Sequence, residues 1–139
     1  MQKQINQNSQ IALDHHWSDA RYTVTQDLKS VLSPEDFDFC FGQSQVLNCF
    51  LDTFCAQIFA VGYDVGMFVA DGSKLSRQEL DAIAARKQQI KQAAERFIFS
   101  RNTNCESNTM REIMRVVERT YSIGIGAGKL QGPYVLVSR

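Results

Sequence analysis

Residues 44–70, SQVLNCFLDTFCAQIFAVGYDVGMFVA, constrain this chain more than any other stretch. The run is too long for one strand, and no Asn-Gly or Asp-Gly turn breaks it before Asp71-Gly72. At helical periodicity its polar residues fall on two narrow lines. Thr53, Gln57 and Asp64 lie within about 40° of one another, and Asn48 and Asp52 lie roughly opposite. Between them are two wide apolar faces, Leu47, Phe50, Leu51, Phe54, Ile58 and Val61 on one, Val46, Cys49, Cys55, Phe59 and Tyr63 on the other. A helix apolar over most of its circumference belongs inside a domain, with neighbours on several sides. A membrane span is the rival reading. Asp52 and Asp64 would each cost about 2.5–3.5 kcal/mol near a bilayer centre, and no basic cluster flanks the stretch, so no membrane partner is expected. Gly62 and Gly66 form a G-x-x-x-G pair. In a helix that spacing permits close packing, or it marks a break near Gly62.

Around this centre the pattern predicts further helices. Ser18 is placed to cap a helix to about Leu32, with Ala20, Val24, Leu28 and Val31 inward. Ser33-Pro34-Glu35-Asp36 combines a cap, a proline at the first helical position and two acids at the positive end of the dipole. Gly42 keeps that helix short, and Phe37, Phe39, Cys40 and Phe41 give it bulk. Ser76-x-x-Glu79 is a capping box for a helix to about Ser100, whose inner stripe is Leu80, Ile83, Ala84, Ile90, Ala94, Phe97 and Ile98. Asn102 to Asn108 reads as a polar loop. Thr109-x-x-Glu112 then caps a last helix to about Ser122, with Met110, Ile113, Met114, Val117 and Tyr121 inward. The expectation is one all-α domain, a bundle of four to five helices around the central helix of about residues 44–70, with an irregular C-terminal tail. Residues 1–12 read as a frayed tail, 13–123 as the helical domain, and 124–139 as a glycine-containing loop and extended tail, with Gly124 stopping the last helix. Tyr134-Val-Leu-Val137 has strand propensity and no evident partner strand.

Charge is unevenly placed. Residues 1–73 carry three basic and nine acidic side chains, a net of −6, and residues 74–119 carry ten basic and six acidic, a net of +4. Either the basic half meets an anionic partner or the two halves pack together. Lys87 sits within the inner stripe of its helix, where a charge is out of place. It is expected near an Asp or Glu of residues 14–71. The N-terminus has no apolar signal-like run, and the four cysteines include no C-x-x-C pair, which suits reduced thiols in a cytoplasm.

The familiar chemistries fit poorly. Gly124-Ile-Gly-Ala-Gly-Lys129 departs from a phosphate loop, since Ile stands at 123 and Leu at 130 where Gly and Ser or Thr are needed. It also follows a helix, facing the negative end of the dipole. Asp14-His15-His16 offers adjacent ligands that do not converge on one metal, and Cys49 and Cys55 have the wrong spacing for zinc. Nothing places either His beside a particular Cys, and no nucleophile elbow or His-Glu-x-x-His occurs. No cofactor, metal or catalytic residue is assigned. The one unusual surface feature is Arg111, Arg115 and Arg119, four apart and within about 80° of one another. Like charges at this spacing do not help a helix, and arginine forks suit phosphates and carboxylates. Glu112 and Glu118 flank the row and could neutralise it. The expectation is a small non-catalytic cytoplasmic protein that acts through an unidentified protein partner, as an adaptor, inhibitor or subunit. Nucleic-acid binding through the arginine row is the alternative, and an enzyme with a site assembled from distant residues is the third reading.

Overall fold

In the computed structural model, which describes residues 2–101 and 105–132 with side chains from residue 10 onward, the apolar stretch is one continuous helical rod. It comprises α3 (Ser44–Cys49), a π-helical segment (Phe50–Cys55) and α4 (Ala56–Val69). The rod buries Phe50, Leu51, Cys55, Ile58, Phe59, Tyr63 and Met67. Each fully buried large apolar side chain contributes about 1.5–3 kcal/mol. Phe54 is only partly buried and packs on Phe97, ring centroids 5.2 Å apart. The wider π turn shifts the register of the faces relative to a straight α-helix. Cys49, expected on an apolar face, is exposed.

Four long helical rods alternate in direction. α1 (Gln2–Val31) runs antiparallel to the central rod: Arg21 meets Asp52, Trp17 stacks at 5.3 Å on Phe59, and His16 lies 5.5 Å from Tyr63. α5 (Arg77–Arg101) is also antiparallel to α4, with Arg86 opposite Gln57 and Phe97 opposite Phe54. α6 (Ser107–Gln131) therefore runs parallel to α4. The short α2 (Pro34–Phe41) closes one end, placing Phe41 5.0 Å from Phe50. Its start is as expected: the Ser33 hydroxyl accepts the Asp36 N–H at 3.1 Å. The described residues form an all-α bundle of five helices when the central rod is counted as one.

The parallel pair α4 and α6 meets backbone to backbone. A Cβ added at Gly62 would fall on the carbonyl oxygen of Tyr121, and one at Gly66 on that of Ile125. Reciprocally, a Cβ at Gly124 would strike the Phe59 carbonyl, and one at Gly128 that of Tyr63. The two G-x-x-x-G pairs interdigitate, so neither helix could approach so closely with any side chain there. Of the two readings of Gly62 and Gly66, close packing is the one that occurs, and α4 does not break at Gly62. The sequence reading is corrected in two places. Residues 124–131 are not loop but the last two turns of α6, because packing against α4 outweighs a helix penalty of about 1 kcal/mol per glycine. The helix ends at Gly132, whose φ of 85° is the left-handed stop that Gly124 was expected to supply.

Other boundaries also moved. α1 starts at Gln2, not at Ser18, so the described part of residues 1–12 is helical. Its inner stripe continues through Leu13, which packs against Phe59, Tyr63 and Met67, and extending a formed helix is inexpensive. α6 begins at Ser107 with Glu106 as its N-cap, so Thr109 lies inside the helix and does not cap it. Tyr134–Val137 lies outside the described residues.

Candidate functional site

α5 changes character at Lys87. Above it, Ile90, Ala94 and Ile98 are buried; from Arg77 to Gln89 no residue is. Leu80, expected inward, is 48% exposed, and Ala84 is exposed as well. The cause is the charge in the stripe. Lys87 Nζ donates to Glu118 on α6 at 2.7 Å and stands 3.9 Å from the Tyr121 ring centre. Lys91 reaches the other Glu118 oxygen at 3.0 Å. Burial pushes the Glu118 carboxyl up, but the two lysines together outweigh it and hold the carboxyl below its usual range. Lys87 is therefore paired as expected, but with an acid of the basic half and not with one of residues 14–71. Tied to α6 at this level, α5 buries no residue from here to its N-terminus.

A groove lies between this stretch and α4. Its walls are Val61, Asp64, Val65 and Phe68 of α4, Leu75 of the connecting segment, and Ala82 and Ile83 of α5, around about 420 Å³. Glu79 and Arg86 stand on the α5 rim, seven residues and so about 10 Å apart along the helix. Glu79 is fixed by the predicted capping box: its carboxylate accepts the Ser76 N–H at 2.8 Å, and its own N–H donates to the Ser76 hydroxyl at 3.1 Å. These bonds, the backbone one foremost, keep its carboxyl below the ordinary value. Among the described residues Arg86 has only a long contact, 3.4 Å, to the Gln57 side-chain oxygen. Sequence periodicity missed this groove because it counted Leu80, Ile83 and Ala84 as core; the misfit of Lys87 was the available signal.

The arginine row is on α6, and all three side chains are exposed. Arg115 pairs with Glu112 at 2.9 Å, and Arg119 reaches across to Asp27 of α1 at 3.1 Å. Among the described residues Arg111 donates only to the Asn108 side-chain oxygen, at 3.3 Å. Glu118 does not serve the row, being held by the lysines. Two of the three guanidiniums are thus engaged inside the molecule.

The remaining polar groups are structural locks. Arg21 grips Asp52 with both oxygens, at 2.8 and 3.2 Å, and also donates to Asn48 at 2.7 Å. Trp17 Nε1 donates to Asp52 at 3.2 Å. The Arg21 bond chiefly, then that of Trp17, keeps Asp52 ionised against partial burial. His15 lies 3.9 Å from Asp19, and His16 Nε2 is 3.1 Å from the Gln131 side-chain oxygen. Among the described residues no three His, Cys, Asp or Glu side chains converge on a common point for a metal ion. A polar cavity of about 600 Å³ beside α2 is lined by Asp38, Cys40, Gln43, Ser100 and Arg101, among others. The Cys40 thiol there stays protonated near neutral pH: burial first, then neighbouring Cys105, push it up to about 12.

No known protein family, no characterised protein and no solved structure matches this chain.

Proposed function

We propose that this chain is a protein-binding module that seats an amphipathic helix of its partner in the groove between α4 and α5. The observation that carries the reading is the unburied first half of α5, which leaves two facing apolar helix surfaces with a gap between them. A helix entering such a groove presents apolar residues at i, i+3, i+4 and i+7. The acid Glu79 and the base Arg86 on one rim suit an incoming helix with a basic and an acidic residue about two turns apart beside its stripe. Burial of the exposed Phe68 and the half-buried Ile83 would drive association, and the rim charges would set orientation and register.

A photo-crosslinking side chain in place of Ala82 tests the proposal in the cell that makes the protein, with Gly126 on the outer face of α6 as the control position. The expected outcome is an adduct from position 82 and none from 126, with the crosslinked partner segment showing an apolar helical stripe and flanking opposite charges. An adduct to lipid, to a second copy of this chain or to an extended segment would contradict it. The arginine row supports nucleic-acid binding less well, since among the described residues Arg115 and Arg119 have acidic partners and only Arg111 lacks one. Salt-dependent retention on DNA or RNA, lost on Arg111→Gln, would favour that reading instead.

A further inference from the structure

Two of the four cysteines stand together. Cys40 is the next-to-last residue of α2, and Cys105 lies two residues before α6 begins. They are 65 positions apart in sequence, yet they are close enough for each to affect the other's ionisation, and the Cys105 sulfur lies 3.7 Å from the Glu106 carbonyl oxygen. Both line one small cavity of about 210 Å³ with Asp36, Phe39, Glu106 and Thr109. Cys40 is buried and Cys105 is half-buried. Cys49, by contrast, is exposed with its sulfur 3.8 Å from the Thr53 hydroxyl, and Cys55 is buried beside Thr120.

We propose that Cys40 and Cys105 are a dithiol that closes to an intramolecular disulfide on meeting a small-molecule disulfide of the glutathione class. Cys105, the more accessible, loses its proton and attacks one sulfur of the oxidant, expelling the first thiolate, which takes up that proton. The Cys40 thiolate then attacks the Cys105 sulfur of the mixed disulfide and expels the second thiol. Two protein thiols are oxidised by two electrons, and one disulfide is reduced to two thiols. The surroundings set the conditions. Burial first raises the Cys105 thiol, neighbouring Cys40 opposes it, and the carboxylates of Asp36 and Glu106 add to the rise. Asp38 and Arg101 line the adjoining cavity that Cys40 shares. The pair is thus stored protonated near neutral pH and reacts faster as pH rises. The bridge would close a loop holding the central rod and α5, both walls of the groove, and so restrict the unfolded chain.

The test uses the full chain carrying Cys49→Ser, which removes the exposed thiol, treated with oxidised glutathione at about pH 8.5. The expected product has lost two hydrogens, retains no glutathione, yields a crosslinked Cys40–Cys105 peptide, and melts higher until reduced. Cys105→Ala should show neither the mass loss nor the rise in melting temperature. Cys40→Ala should stop with one glutathione on Cys105. If that variant does not fold, the peptide map of the parent decides alone. A parent that keeps glutathione on Cys105 without closing, or stays unmodified, would overturn the proposal.

Discussion

The two flanks of α4 are built on opposite plans. Toward α6 the helix is paved with glycine, and two backbones meet with no side chain between them. Toward α5 it carries Val61, Val65 and Phe68, and the neighbour stands off. The smaller residues make the tighter seam because contact distance between helices is set by what stands on their facing surfaces. The larger ones are left with unsatisfied area. One helix thus supplies both a closed structural joint and an open apolar wall, and the open wall is where binding free energy is still to be gained.

Substitutions on the two flanks should separate in size and sign. Phe59 lies at the closed side, fully buried between Trp17 and Tyr63, with its carbonyl against Gly124. Phe59→Ala should cost about 3–5 kcal/mol in chemical denaturation. Gly128→Ala adds a single methyl group, but that methyl meets the Tyr63 backbone, which cannot rotate away. A loss of about 1–3 kcal/mol is expected, despite the better helix propensity of alanine. Gly126→Ala sharpens the contrast within the same helix. Nothing lies within 4 Å of the added methyl, so thermal melting should show a gain of about 1 kcal/mol. On the open flank, Ile83→Ser with Leu80→Ser should change stability by no more than about 0.5 kcal/mol per site while abolishing the partner adduct. A large loss of stability there would mean that α5 packs as closely as α6 does.

The lysine tie that separates the flanks has its own signature in pH. The folded-state pKa of Glu118 is depressed, so its contribution is present above the unfolded value and is lost as pH falls through the folded one. Its side chain is 43% exposed, which makes the effect small. Denaturation midpoints measured from about pH 6 to pH 3 should fall less steeply in Glu118→Gln than in the parent chain.

Much of the fold was legible in the sequence, because periodicity and capping chemistry are local. The rod at 44–69, the Ser33 cap and the Ser76–Glu79 box all follow from residues within a turn or two of one another. What was not legible depends on partners distant in sequence. Gly124 reads as a stop signal and Gly128 as loop until Gly62 and Gly66 are opposite them. Asn48 and Asp52 formed a polar line with no owner until Arg21 and Trp17 arrived from α1. The groove escaped notice for the same reason: α5 has a regular apolar stripe, and only the pairing of Lys87 with Glu118 shows where the stripe stops being core. The arginine row was visible, but its neutralisation by Asp27 across the bundle was not.

Amide hydrogen exchange on the free protein measures the contrast between the flanks most directly, since it reads the opening free energy of each helix turn. The account predicts the slowest exchange along the seam, at residues 59–67 and 121–128. Protection in α5 should step down sharply below Ile90, with residues 80–87 exchanging orders of magnitude faster. Equal protection along the whole of α5 would contradict it, because the groove would then be closed in solution and α4 would have no open flank.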